Sequence, residues 1–461
     1  MPRTEEDALG RRELPDAALY GIQTLRAVEN FPVSGRRARP RLVHAYATLK
    51  LAAARANVEL GALDRRRGDA IARAAGEVRD GRHADQFPVD VYSAGAGTSF
   101  NMNLNEVIAN RALELLGRPR GDQAYLSPND HVNLGQSSND TFPAAVHLAL
   151  IAASAPLLTA LGGLAGLAAA FRRKAAEFAQ VAKPGRTHLV DALPVTLGDE
   201  FRAWAVAVER AGERIRERRD GLRELAIGGT AVGTGASAPA GFREAVITRL
   251  AELTGEELRP ARDPFETLQS RAPLAAFSSS LKELALELIR ISNDLRLLAS
   301  GPTAGLGEIR LPAVQPGSSI MPGKVNPSLA ECLAMVCFRV AGNDAAVALA
   351  VQAGQLELNV MTPLIAESLL ESVELLAEFL PVFTAKCVAG IAVDEERCRA
   401  GLARDPALVT LLVPRIGHLA AAALHREALD RGLGVAELAV EKGILTPAEA
   451  ESLLRPPATT G

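Results

Sequence analysis

Between residue 137 and about residue 390, apolar side chains recur at helical spacing in runs longer than an ordinary globular helix. The pattern predicts long helices over Pro143 to Ala182, Pro194 to Ala226, Thr267 to Ser300, Ser328 to Ala353 and Met361 to Val388. With few breakers between their ends, helices of this length imply an elongated bundle. Several are apolar on more than one face, as over residues 284–291 and 333–338. A monomer would leave those faces wet, so the pattern predicts a symmetric oligomer built through the bundle.

The flanks are different. Residues 1–136 mix Pro and Gly punctuation with shorter helical patterns, Leu42 to Leu60 and Asn103 to Leu116. They read as a separate N-terminal domain, mostly helical. Residues 392–461 read as a small domain of short helices, with Thr446-Pro447-Ala448-Glu449 as a capping box and helix start and a loosely ordered tail from Pro456. The expected fold is therefore all-α in the main, with three domains (1–136, 137–391 and 392–461).

One stretch, Thr141 to Phe171, carries no Asp, Glu, Lys or Arg and is long enough for a bilayer. Ala and Gly outnumber bulky residues there, Pro156 interrupts it and no aromatic belt brackets it. The central helix of a large bundle is the better reading, with no membrane. Composition narrows the picture further. A formal charge of −3 argues against a nucleic-acid surface, and 4% aromatic residues with abundant Ala and Leu favour helices over sheets. Cys332, Cys337, Cys387 and Cys398 lack metal-binding spacing and read as apolar thiols in a reducing compartment. The charged first residues contain no secretion signal, so the expected location is cytoplasmic.

Candidate chemistry gathers in short polar clusters at helix boundaries: Ala94 to Ser99, Gln136 to Thr141, Gly185 to Asp191, and Gly317 to Pro327. The last places two glycines, two prolines, Ser318, Ser319, Lys324 and Asn326 ahead of a long helix, with Asn326 reading as its N-cap and Pro327 as its first position. Hydroxyls, backbone N–H groups and one ammonium gathered at helix ends suit an anion, and better still a developing oxyanion. His188 stands in a polar connection, and Glu331, early in the following helix, is a candidate partner. No HExxH, phosphate loop or dinucleotide fingerprint is present, and Gly228 to Gly235 reads as a turn at the end of the bundle.

Gly317 to Pro327 resembles, throughout, the signature loop G-S-S-x-M-P-x-K-x-N-P of the aspartase/fumarase superfamily. Gly97-Thr98-Ser99 with Asn101-Met102-Asn103, Ser137-Ser138-Asn139-Asp140 and Gly185-Arg186-Thr187-His188 follow in that family's order, and the resemblance runs from about Arg3 to Leu454. It implies a homotetramer whose helical core combines four bundles, active sites each shared by three subunits, and no metal or organic cofactor. By the same resemblance, Ser318 is the general base on a mobile loop. Lys324 and Asn326 hold the α-carboxylate of a succinyl substrate. Thr98, Ser137, Ser138 and Ser319, with Ser99 beside them, bind the β-carboxylate as it becomes an enediolate. Asn139, Thr187 and His188 surround the leaving group.

The branch within the family is read from other stretches. Tyr20 to Phe31, Phe87 to Tyr92, Ala96 to Ser99 and Gly354 to Met361 resemble aspartases, which eliminate ammonia from L-aspartate to give fumarate. Ser137 to Pro143 and Ile227 to Gly235 are more like fumarases, which interconvert L-malate and fumarate. Ala236, Ser237 and Thr303 depart from both, as does Leu134-Gly135. The expected activity is aspartate ammonia-lyase, with fumarate hydratase, or a lyase for another N-substituted succinate, as the alternatives.

Overall fold

The computed structural model describes residues 3–455. Helices dominate, and the strands occur as two-stranded pairs, so the mainly all-α expectation is met. Five long helices form the frame: α1 (Ser138–Gly162), α2 (Leu197–Asp220), α3 (Ala272–Leu298), α4 (Ser328–Gln352) and α5 (Thr362–Lys386).

Their ends differ from the predicted ones for identifiable reasons. Pro156 does not stop α1, which continues to Gly162; a proline inside a helix costs one backbone bond, and burial of Leu157 and Leu161 offsets it. The break falls instead at Gly163 to Gly166, and a shorter helix follows over Leu167–Glu177. Residues 182–196, assigned above to helix ends and connection, pair as antiparallel strands Ala182–Thr187 and Val190–Thr196. A separate short helix, Pro264–Gln269, precedes α3, capped by the Asp263 side chain.

The chain divides into two compact units, and the division cuts across the long helices. The first takes residues up to Leu158, Glu213–Ala285 and Phe338–Ala377. It contains the helices Pro40–Glu59, Arg65–Arg79 and Thr98–Leu115. The rings of Tyr46, Phe100 and Phe142 meet there with centroids 5.9 to 6.3 Å apart. Thr98–Leu115 starts five residues earlier than the expected Asn103, because Gly97, at φ 70°, lets the chain turn directly into it. Only glycine fits, since a Cβ there would lie 2.0 Å from the Phe142 ring.

The second unit holds Thr159–Gly212, Leu286–Cys337 and the chain from Glu378 onward. One of its apolar centres is the group of Phe171, Phe178, Phe201 and Trp204. Another lies among the short C-terminal helices, where Leu408, Leu424 and Leu438 are buried together. The capping box at Thr446 and Glu449 forms as read, while the tail from Pro456 lies outside the described residues. Cys337, Cys387 and Cys398 are buried free thiols, and Cys332 is half-buried. By length and composition Ser138–Glu177 and α4 could each cross a membrane; half of the former's most apolar stretch is buried within the protein.

Candidate active site

The sequence clusters resolve into three structural sets. The first joins Thr98 to the turn at Gln136–Thr141, with the hydroxyls of Thr98 and Ser138 3.0 Å apart. Ser137 Oγ accepts the Asn139 N–H (3.2 Å), and Asn139 Nδ2 donates to the Ala231 carbonyl (2.8 Å). Spending the amide donor this way leaves Asn139 Oδ1 as an acceptor. Ser99 does not join this set. It is buried and lines a different cavity, beside Gln23, Arg26 and Asn129.

Beneath the turn lies a polar network that the sequence reading did not pick out. Asp140 is fully buried and accepts the N–H groups of Ser137 (3.0 Å), Gly228 (3.0 Å) and Thr230 (2.9 Å), so one carboxyl ties the turn to the glycine-rich loop. Burial raises its pKa to about 7, although those N–H groups and Lys50 favour the charged form. Lys50, also fully buried, donates to Asn133 Oδ1 and Gln136 Oε1, both at 3.0 Å. Burial lowers its pKa to about 7. Tyr46 reaches Asn101 Oδ1 (2.7 Å) and Thr141 Oγ1 (2.6 Å). A signal existed: Lys50 is a lone cation in the apolar run Leu49 to Ala54.

The second set is the hairpin tip. Thr187 pairs with Val190, and His188 and Leu189 between them both sit in left-handed backbone, at φ 55° and 61°. That is the conformation a two-residue hairpin turn needs, and non-glycine residues hold it at a cost of about 1–2 kcal/mol each. A register shift at Pro184/Gly185 re-aims the strand below the tip. Ion pairs anchor its base. Lys183, 1% exposed, contacts Glu200 (2.7 Å) and Glu308 (2.9 Å), and Arg186 reaches the other oxygen of Glu308 at 2.7 Å. Thr187 and His188 are left exposed on this rigid base.

The third set is the loop Gly317–Pro327. It closes on itself, with Gly317 N–H donating to the Lys324 carbonyl (2.8 Å) and Asn326 Nδ2 to the Gly317 carbonyl (2.6 Å). A Cβ at Gly317 would lie 2.7 Å from Asn326 N and from Lys324 O. Ser318 Oγ accepts two backbone N–H groups, from Ile320 (3.2 Å) and Met321 (3.0 Å). Ser319 and Lys324 are exposed, as are the apolar Ile320, Met321 and Val325. Asn326 is not the N-cap expected of it. Helix α4 begins at Ser328, and the Asn326 amide braces the loop instead.

The first set lies in one unit of the chain and the other two in the second. Among the described residues, no hydrogen bond links the hairpin tip to the loop. Nor does Glu331, in the first turn of α4, form an ion pair with His188 as expected. No group of three or more His, Cys, Asp or Glu side chains among the described residues is arranged to hold a metal ion. Each set offers neutral donors at exposed backbone turns, and in the loop Lys324 adds an exposed cation. Such donors suit carboxylate recognition and oxyanion stabilisation.

Comparison with known proteins gives a consistent result. Residues 10–342 match the lyase family and residues 408–461 the fumarase C C-terminus family. A fumarate hydratase class II of Thermosynechococcus vestitus is 47% identical over 98% of this chain and 97% of its own. An aspartate ammonia-lyase of a Bacillus species is 45% identical over 98% and 96%. A solved structure of a cobalt-bound fumarate lyase:delta crystallin from Brucella melitensis superposes with a TM-score of 0.95 at 47% identity, covering 98% of each chain.

Proposed function

Because the chain belongs to the aspartase/fumarase superfamily of lyases, we propose that it reversibly eliminates ammonia from L-aspartate to give fumarate. The observation that carries the elimination is the pair of N–H groups on Ser318 Oγ, while the choice of ammonia over water rests on Tyr20 to Phe31, Phe87 to Ser99 and Gly354 to Met361. A serine hydroxyl is ordinarily a poor base. Two backbone donors aimed at its oxygen stabilise the alkoxide form, and more strongly once the loop shuts out water.

The steps follow from charge. Ser318 takes a proton from the β-carbon, and the electron pair moves into the β-carboxylate to form an enediolate. Thr98, Ser137, Ser138 and Ser319 donate to that second negative charge and tighten on it selectively. Lys324 holds the α-carboxylate. The enediolate then collapses, the C–N bond breaks with its electrons leaving on nitrogen, and ammonia departs beside Asn139, Thr187 and His188.

Asn139 favours the amine over a hydroxyl. One hydrogen of its Nδ2 goes to Ala231 O, and its Oδ1 remains an acceptor that an ammonium, with three donors, can meet. A second reading, fumarate hydratase, draws on Ser138, where aspartases usually place threonine, and on relatives of both kinds near 45% identity.

The same reading makes the working molecule a homotetramer in which the three sets come from three chains. In support, α4 leaves Met335, Phe338 and Leu349 exposed at 62%, 59% and 67%, an apolar stripe that association would cover. The test is the ultraviolet absorbance of fumarate formed from L-aspartate and, separately, from L-malate. The proposal predicts a kcat/KM for aspartate higher by roughly 100-fold or more. Turnover of malate alone would hand the assignment to fumarate hydratase.

A further inference from the structure

A second polar cavity is lined by residues of the first unit alone. Its volume is about 190 Å³, and its lining includes His147, Glu224, Glu266, Thr267, Ser270 and Arg271. Arg271 is 3% exposed, and among the described residues no carboxylate forms an ion pair with it. Its Nη1 donates to the Thr267 carbonyl (2.6 Å) and its Nη2 to the Asn359 carbonyl (3.4 Å), while its Nε is buried with no partner. Burial lowers its pKa only to about 10, so it is a cation at neutral pH. Its counter-charge is the exposed Glu266, with which it forms no direct ion pair, whereas a guanidinium buried this deeply is ordinarily paired by direct contact.

The other lining groups specify what could pair with it. His147 Nδ1 stands 3.0 Å from the Leu222 carbonyl and 3.1 Å from that of Glu224, so Nδ1 carries the proton. Burial, with Arg271 nearby, pushes this imidazole down to about 4. It is therefore neutral, and Nε2 is a hydrogen-bond acceptor. Ser270 Oγ accepts the Ala272 N–H (3.2 Å) and keeps its own proton to give. Glu224 is occupied by the Arg262 N–H (2.7 Å), and Glu266 is exposed. These two carboxylates disfavour any ligand with more than one negative charge.

We propose that this cavity binds a small oxyanion with a single negative charge and at least one acidic proton, the chemistry shared by dihydrogen phosphate and bicarbonate. Its oxygens take hydrogen bonds from the remaining N–H groups on Arg271 Nη1 and Nη2 and from Ser270 Oγ, and its proton goes to His147 Nε2.

Calorimetric titration of the full-length protein with inorganic phosphate at pH 6 tests this, alongside Arg271→Met, Ser270→Ala and Lys324→Ala. The expected result is one saturable phosphate per chain, retained in Lys324→Ala, weakened about tenfold or more in Arg271→Met and about threefold in Ser270→Ala. Acetate, which has no acidic proton at that pH, is expected to bind at least tenfold more weakly. A bicarbonate titration at pH 7.5 identifies which of the two anions binds tighter. The inference is overturned by undiminished binding in Arg271→Met, by loss of binding in Lys324→Ala, or by no saturable binding in the wild type. Should Arg271→Met lose its native circular dichroism, Ser270→Ala decides alone, and affinity equal to wild type overturns it. None of these readouts uses lyase turnover, so they stand whether or not aspartate is the substrate.

Discussion

Ser318 illustrates how little a residue's identity says without its backbone. In the proposed role the hydroxyl acts as a base because glycine and proline hold the chain so that two N–H groups face one oxygen. Ser318→Ala is expected to lower kcat by about 10³-fold or more, in line with loss of a general base, with the circular dichroism spectrum unchanged. A loss below tenfold would remove Ser318 from the base role. Asp140 works differently, through protonation. Its pKa is raised by burial from 3.8 to about 7, so its contribution to stability is complete below the lower value and is lost as pH rises through the upper one. Asp140→Asn loses an acceptor for buried N–H groups and should cost about 1–3 kcal/mol near pH 5. That deficit should narrow by pH 8, measured as urea midpoints of both proteins. A deficit that widens with pH would mean the folded carboxyl is not held protonated.

At the level of elements, each candidate set rests on a turn held by a close contact. Gly97 is the tightest, with the Phe142 ring 2.0 Å from where a Cβ would stand. Gly97→Ala combines that overlap with left-handed backbone and should destabilise the protein by about 3 kcal/mol, seen as a lower melting temperature, and displace Thr98 from Ser138. An unchanged melting temperature would show that the Phe142 ring can yield. The same turns explain what was legible beforehand. Gly317 to Pro327 and Gly185 to His188 stood out because glycine, proline and hydroxyls interrupt apolar runs. The strands of residues 182–196 did not, since Ala182 read as the end of one helix and Pro194 as the start of the next rather than as parts of a paired, bulged hairpin. Pro156 was read as a break because local propensity opposes it, while burial of its neighbours decided otherwise. Lys50 and Asp140 escaped because their partners, Asn133, Gln136 and the N–H groups of Gly228 and Thr230, lie far away in sequence. Only the folded chain brings them together.

For the whole molecule, the distribution of the three sets matters most. Thr98 and Ser138 meet within one unit, whereas the His188 hairpin and the Ser318 loop in the other share no hydrogen bond among the described residues. The proposed tetramer assembles each active site from sets on different chains, and the exposed side chains of α4 are the surface that such assembly would bury. Mixing inactive variants tests this most directly. Ser318→Ala and His188→Ala tetramers, each nearly inactive on L-aspartate, are to be dissociated, combined in equal amounts and reassembled, and fumarate release followed by absorbance. Random assembly places an intact loop beside an intact hairpin in roughly a quarter of sites, so the mixture should recover up to about that share of wild-type activity. Ser318→Ala mixed with Lys324→Ala, both in the same loop, should recover none. A Ser318→Ala and His188→Ala mixture no more active than its parents would contradict a site shared between chains.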